Sequence, residues 1–286
     1  MTKKWRESLI DPSEIKLNKD LKILSIVSYP PAGNDVFECI GSFNSKEVHF
    51  FLKISRGSFS NIINEAKILM KLKDYNINVP EVLDYGNYKG YDYIVTKKNY
   101  GSKLSNLIKR GHNSMDYMYN YGALLAKIHS LSIDSEKAKQ RKINDIVEIN
   151  INEYKELEKF YNYLIKNKIE KNYNTFIHGD FHYGNLLFRN NDISCILDFE
   201  YSGLGFKEQD IAWAIALRPT QLFLTTKKEI NEFLKGYKSI GDFDYNKFLW
   251  CYINASLHFY KMNSNNTEYK KRILKLLENI MEDING

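Results

Sequence analysis

Phe176-Ile177-His178-Gly179-Asp180-Phe181-His182-Tyr183-Gly184-Asn185-Leu186-Leu187-Phe188, followed shortly by Ile196-Leu197-Asp198-Phe199-Glu200, is the stretch whose reading decides the fold of this 286-residue chain. Apolar, strand-like residues bracket a polar centre that holds two histidines, two glycines, an aspartate and an asparagine. The pattern predicts strand, tight loop, strand, short turn at Asn191-Asp192, and strand again. A loop held between strands in this way presents chemistry. Asp180 and Asn185 are five apart, and the returning strand brings Asp198 back, so three hard oxygen side chains can converge on one small volume. Such ligands suit magnesium, not zinc.

The pattern His178-x-Asp180-x-x-x-x-Asn185, then Asp198 after a hydrophobic strand, resembles the catalytic and metal-binding loops of the aminoglycoside phosphotransferase and choline kinase superfamily, small-molecule relatives of the protein kinases. The resemblance implies a kinase in which Asp180 orients a substrate hydroxyl and accepts its proton. It also implies that Asn185 and Asp198 hold magnesium on the triphosphate of ATP or GTP. Gly179 stands where protein kinases carry arginine, Glu200 stands at the glycine of Asp-Phe-Gly, and no Ala-Pro-Glu follows. A small-molecule kinase without a phosphorylation switch fits those departures.

Two other readings compete. His178, Asp180 and His182 alternate like transition-metal ligands, and Gly-Asp-Phe-His loosely resembles a metallophosphoesterase. That reading requires further His and Asp clusters downstream, where only His258 remains, in a helical context. The second is a histidine satisfied in an ordinary turn; the full pair of motifs stands against it.

An apolar content of 43 % is enough to bury one large core or two modest ones. The net charge of +6 is spread along the chain, with no basic run dense enough for a nucleic-acid footprint. Cys39, Cys195 and Cys251 are far apart and form no Cys-x-x-Cys, which suits buried thiols in a reducing cytoplasm. Nowhere is there an uncharged apolar run of about eighteen residues, and the N-terminal charges are followed by no apolar core of a signal peptide. The expectation is a cytoplasmic monomer with neither membrane nor nucleic-acid partner.

The first hundred residues read as a small sheet with one helix. Strands are expected at 21–28, 36–41, 48–54, 79–85 and 91–96, with turns at 29–35 and 86–90. Lys53 lies among apolar neighbours on the third strand. Ile62, Ile63, Ala66, Leu69, Met70 and Leu72 then give a helical period over about 58–73, with Glu65 on it. A strand lysine paired with a glutamate on the next helix is the ion pair by which kinases fix their phosphate-binding lysine; the alternative is a lysine snorkelling from the strand end. Gly33-Asn34-Asp35, with Ser55-Arg56-Gly57-Ser58 after the lysine strand, resembles the N-terminal lobe of 2''-aminoglycoside phosphotransferases. The kinase likeness makes the loop from Pro30 to Asp35, Gly33 and Asn34 included, a nucleotide cover, and Lys97-Lys98-Asn99-Tyr100-Gly101 a hinge whose backbone reads the base.

The remainder reads as helical apart from the catalytic insertion. Helices are expected near 115–131, in one or two pieces over 143–167, and near 227–237, 245–260 and 267–283. His129 reads as a satisfied core histidine. Asp210 opens an apolar helix after a glycine-containing turn, and the superfamily resemblance makes it the support of the loop from His178 to Asp180; a helix dipole alone would also favour an acid there.

Together these features predict an α+β, two-lobed, protein-kinase-like fold: a five-stranded antiparallel N-lobe over 1–97 and a largely helical C-lobe over 98–286. The predicted partners are a nucleoside triphosphate, magnesium and a small-molecule acceptor, taken to be an aminoglycoside or similar amino sugar. Glu200, Glu208, Glu278, Glu282 and Asp283 are possible acidic contacts to such a polycation. A choline or ethanolamine kinase is the alternative, and a catalytically silent scaffold is disfavoured because Lys53, Asp180, Asn185 and Asp198 are all present.

Overall fold

A computed structural model describes residues 6–18, 20–57, 60–138, 145–263 and 265–285, with side chains through 281. Alternation in the sequence becomes alternation in burial. Along β2 (Asp35–Phe43) residues 35, 37, 39 and 41 are buried while those between them are half-buried, and β3 (Lys46–Ile54) follows the same rhythm from Val48 onward. The two pair antiparallel from Asp35 opposite Ile54 to Phe43 opposite Lys46. With β1 (Leu21–Ser28), β4 (Val82–Tyr88) and β5 (Tyr91–Lys97) they form one antiparallel sheet in the order β1-β2-β3-β5-β4. Phe37, Cys39, Phe50, Leu52, Ile54 and Val95 form its core.

Tight turns connect these strands. Asn44-Ser45 joins β2 to β3 and Lys89-Gly90 joins β4 to β5, both residues of each pair having positive φ, the conformation that matches strand twist in two-residue hairpins. The turn expected over 86–90 is therefore shorter, because β4 runs on to Tyr88. Helix α1 (Ile62–Leu72) buries Ile62, Glu65, Ala66, Ile68, Leu69 and Leu72 and packs on β4 and β5. Of the longer helix expected there, positions 58 and 59 lie outside the described residues.

Contacts divide the chain into two compact units, Met1–Gly101 with Ser194–Tyr201, and Ser102–Ile193 with Ser202–Gly286. The first unit thus takes back a short piece of chain that a single cut at 97 assigns elsewhere. The second carries α2 (Leu104–Lys109), α3 (Met115–His129), α4 (Glu158–Lys166), α5 (Lys207–Ile215), α6 (Lys227–Lys238), α7 (Tyr245–Met262) and α8 (Thr267–Asn285). It also carries β6 (Thr175–Ile177), which pairs antiparallel with β9 (Gly203–Gly205), and β7 (Leu186–Arg189). After β7 the chain turns at Asn190-Asn191, again both at positive φ, and returns as β8 (Asp192–Ile196), one residue earlier than the expected turn.

The segment 145–157 is not the helix its apolar residues suggest, and 143–144 lie outside the described residues. Asn150 Oδ1 accepts from the Asn152 N–H at 3.2 Å, a local bond that competes with helix. Asn254 on α7 accepts from Val147 N at 2.9 Å and donates to Asp145 O at 2.8 Å, which ties this stretch to α7 outside any helix. Helix begins only after a short 3-10 turn at Lys155–Leu157. No described helix is long and apolar enough to cross a membrane.

Helices α3 and α6 cross at backbone contact. A Cβ on Gly122 would overlap the Phe233 carbonyl, and one on Gly236 would overlap the Tyr119 carbonyl. This crossing backs the loop that follows β6, because Tyr121 on α3 stacks on Phe181 and meets Phe233 edge-on. Gly122→Ala must part the helices and should lower stability by ~1–3 kcal/mol. A urea midpoint unchanged from that of the parent protein would show that the crossing yields without strain.

Candidate active site

The loop after β6 is shaped by Asp210. Its Oδ2 accepts from His178 N at 3.0 Å and its Oδ1 from Gly179 N at 3.1 Å, so one carboxylate holds two consecutive backbone amides. Asp210 lies in the first turn of α5, which opens at Lys207 and not at Asp210 itself. Burial works to raise its pKa. The hydrogen bond and charge of His129, the charge of His178 and the His178 N–H outweigh burial and hold the carboxyl below the usual aspartate range. His129 reaches Asp210 through Nε2 at 3.2 Å and the Tyr237 hydroxyl through Nδ1 at 2.7 Å, which makes it a satisfied core histidine.

Gly179 has φ +77°, a conformation natural to glycine and awkward for the arginine that protein kinases place there. Past it, Asp180 N donates to His178 Nδ1 at 3.2 Å. The Asp180 carboxylate accepts the Trp213 indole N–H on Oδ1 at 2.7 Å. Asn185, at the end of a 3-10 turn (Tyr183–Asn185), sends its amide nitrogen to Asp180 O at 3.0 Å and toward Oδ2 at 3.4 Å. That bond commits the amide nitrogen to the Asp180 carbonyl. His182 caps the same turn by accepting from Gly184 N at 3.0 Å. Among the described residues the one group of three His, Cys, Asp or Glu ligands within metal reach is Glu65, Asp198 and Glu200, so the histidine-rich set of a metallophosphoesterase does not assemble.

In the first unit, Lys53 gathers three carboxylates. Its ammonium is 2.8 Å from Glu65, 2.6 Å from Asp198 and 3.2 Å from Glu200, with only 15 % of the lysine side chain exposed. The strand lysine is therefore paired, not snorkelling. Burial opposes its charge, but Asp198, Glu65 and Glu200 together hold its pKa well above that of an ordinary lysine. Glu65 is raised to about 7, because burial and the two neighbouring carboxylates outweigh the pull of Lys53. Asp198 takes φ +67°, a left-handed position that aspartate tolerates better than bulkier residues do.

Glu200, expected as a supporting or acceptor-pocket residue, is bonded within the first unit. Besides Lys53 it accepts from Asn34 Nδ2 at 2.8 Å and Ser60 Oγ at 3.2 Å, so it ties the 33–35 loop to the lysine. That loop is clamped from its other side. Buried Asp35 accepts from Leu9 N, the Tyr29 hydroxyl and Arg56 Nε and pairs with Arg6, while Arg6 also donates to the Gly33 and Asn34 carbonyls at 3.2 and 2.7 Å.

At the expected hinge, Lys97 N and Lys98 N donate to Glu81 O and His49 O, both at 2.8 Å, so those two amides serve the sheet. The side chain of Lys98 pairs with Glu38 at 2.5 Å and that of Lys97 lies 3.7 Å from Glu81. Of the acids expected to meet a polycation, Glu208 is buried and accepts from Asp244 N, Glu278 pairs with Lys159, and the side chains of Glu282 and Asp283 lie outside those described. Trp213 is the site residue that the sequence reading lacks; its signal is an indole one turn after Asp210 on the same helix.

The sequence profile of the phosphotransferase enzyme family (APH) matches residues 32–247, a span that takes in the loop after β6, Asp198 and most of the first unit's sheet. No curated protein matches the sequence. Among solved structures, aminoglycoside-3'-phosphotransferase of type VIII is 17 % identical over 83 % of this chain and 93 % of its own, with a TM-score of 0.58. Spectinomycin phosphotransferase APH(9)-Ia, in complex with ADP and spectinomycin, is 16 % identical over 91 % of this chain and 90 % of its own, with a TM-score of 0.59. A thermostable mutant of aminoglycoside phosphotransferase APH(4)-Ia, in ternary complex with ADP and hygromycin B, is 13 % identical over 92 % and 94 %, with a TM-score of 0.61. These likenesses establish a shared α+β kinase-like fold. The profile match, which spans most of the sequence, shows that the chain belongs to the phosphotransferase enzyme family.

Proposed function

We propose that the protein is a magnesium-dependent kinase that moves the γ-phosphate of ATP or GTP to a hydroxyl of an aminoglycoside or related amino sugar, acting as a cytoplasmic monomer. The observation that carries this reading is Lys53 bonded to both Glu65 and Asp198. A lysine fixed in that way is built to meet phosphate oxygens, and phosphoryl transfer is driven mainly by positioning and charge neutralisation. The 33–35 loop, held by Glu200, Arg6 and Arg56, would cover the nucleotide, and the chain past Lys97-Lys98 would read its base. Asp180, oriented by Trp213 and Asn185, would align the acceptor hydroxyl and take its proton.

Asn185 and Asp198 are the proposed magnesium ligands. The donor set fits: both offer hard oxygens, and the amide nitrogen of Asn185 is already committed to Asp180. Magnesium, when bound, supplies neutralisation of the charge on the triphosphate. Three carboxylates around a single ammonium also leave a local surplus of negative charge at Lys53, which favours a second cation.

The likeness to enzymes crystallised with spectinomycin and hygromycin B supports an amino-sugar acceptor. The choline or ethanolamine alternative needs aromatic faces open to an ammonium. The faces of Trp213, Tyr183 and Phe259 instead carry the guanidinium of Arg218, at 4.8, 5.9 and 5.4 Å from their ring centres. Titration calorimetry of ATP with and without magnesium tests the nucleotide half of the reading: Asp198→Ala should abolish the magnesium-dependent part of the affinity. Equal affinities for that variant and the parent protein would remove Asp198 from the metal site. A turnover screen across aminoglycosides, amino sugars, macrolides and choline tests the acceptor half, and turnover confined to choline would replace it.

A further inference from the structure

We infer that Trp213 is a positioning residue for Asp180 and that Arg218 locks its indole in place, an inference that rests on the role proposed above for Asp180. The indole N–H donates to Asp180 Oδ1 at 2.7 Å, the short range of hydrogen bonds to a charged acceptor. The second tryptophan of this unit gives the contrast. Trp250 spends its N–H on a backbone carbonyl, that of Leu164, at 3.0 Å, the usual fate of a buried indole that only packs.

Two neighbours, Phe259 and Arg218, restrain the Trp213 ring. Phe259 stacks on it with centroids 5.2 Å apart and an interplanar angle of 28°. Arg218 lies over its other surroundings as a clamp with three hold points: the guanidinium is 4.8 Å from the indole centre, donates to Trp213 O at 3.0 Å, and donates to Ala216 O at 3.0 Å. Those carbonyls are at the C-terminal end of α5, where a cation is also favoured by the helix dipole. The clamp therefore fixes helix end and ring together.

A competitor makes the restraint matter. His182 Nε2 lies 3.8 Å from the same Oδ1, close enough for a modest rotation of the carboxylate to bring the two into a hydrogen bond. With the indole in place, Oδ1 is drawn away from that alternative and the carboxylate holds one orientation. In a reaction that depends on alignment, a displacement of about 1 Å is enough to cost a hundredfold. Trp213 touches neither the nucleotide nor the acceptor in this reading; it acts through Asp180.

The test uses the full-length protein with two readouts. In ¹⁵N-labelled protein, the indole cross-peak lost in Trp213→Phe identifies Trp213, and it should move upfield in Asp180→Asn, whose neutral oxygen is a weaker acceptor. In parallel, magnesium-ATP hydrolysis with water as acceptor is measured for Trp213→Phe, Asp180→Asn and the double variant. Trp213→Phe keeps the ring stacked on Phe259 and should slow hydrolysis by about 10- to 100-fold with KM for ATP unchanged. The double variant should be no slower than Asp180→Asn alone. An indole peak indifferent to Asp180→Asn, a Trp213→Phe enzyme of normal rate beside a slow Asp180→Asn, or losses that multiply would each overturn the positioning role alone. An Asp180→Asn enzyme of normal rate would overturn the role of Asp180 and this inference with it.

Discussion

Asp180→Asn should lower kcat by a factor of about 10²–10⁴ with nucleotide affinity little changed. The amide keeps the shape of the carboxylate, so Trp213 can still donate to Oδ1 and the turn that ends at Asn185 keeps its anchor on the Asp180 carbonyl. Only the charge is lost. The transition state of phosphoryl transfer is loose and asks for little early deprotonation, so an ordinary ionised carboxylate suffices. Steady-state kinetics with an acceptor found by the turnover screen, beside calorimetry of the magnesium-nucleotide complex, gives both numbers. Near-normal turnover would demote the loop after β6 to a structural element.

Lys53→Met should fail in two ways at once. Activity should drop by about 10²–10³, the loss typical of removing one preorganised donor to developing charge. Stability should also fall by ~3–5 kcal/mol at neutral pH, because Glu65, Asp198 and Glu200 are left without the cation that binds all three. The stability loss has a pH signature. Glu65 already has a raised pKa of about 7, so its favourable contribution is complete below the unfolded carboxylate value and is lost as pH rises through 7. Removing Lys53 raises that pKa further, so folding of the variant takes up more protons and its deficit narrows on acidification. Urea midpoints at pH 5 and pH 8 measure this, and an equal deficit at both would mean that the carboxylates are not what Lys53 restrains. Glu65→Ala should reproduce part of the activity loss, and the pair should be non-additive because the glutamate acts through the lysine.

Much of the architecture is legible because it rests on periods. From Phe37 in β2 and from Val48 in β3 every second residue is buried and apolar or glycine through position 41 and position 54, α1 repeats at helical spacing, and Lys53 and Glu65 stand out as charges among apolar residues. The loop from His178 to Asn185 stands out for the opposite reason, a dense polar cluster between strands. What stays hidden depends on partners distant in sequence. Strand β9, Gly203-Leu204-Gly205, has no strand propensity of its own and exists through pairing with β6. Helix α2 has six residues and no side-chain cap, so nothing local announces it. Glu200 looks like an exposed acid beside an active site until Asn34, 166 residues away, is seen to hold it. Trp213 reads as one more apolar helical residue, since only the Asp180 carboxylate, 33 residues earlier, gives its N–H a purpose.

The return of Ser194–Tyr201 to the first unit has a consequence for synthesis. When Gly101 leaves the ribosome, every strand of the five-stranded sheet has been made, yet the polypeptide that supplies Asp198 and Glu200 is still about a hundred codons away. At ~5–20 residues per second that gap lasts roughly 5–20 s. Throughout it the nascent sheet holds Lys53 and Glu65 with two of the four charges missing, and Asn34 lacks the carboxylate that anchors it. Completion of the first unit therefore waits on translation of much of the second, and a gene fragment stopped at codon 101 encodes a sheet without its own lock.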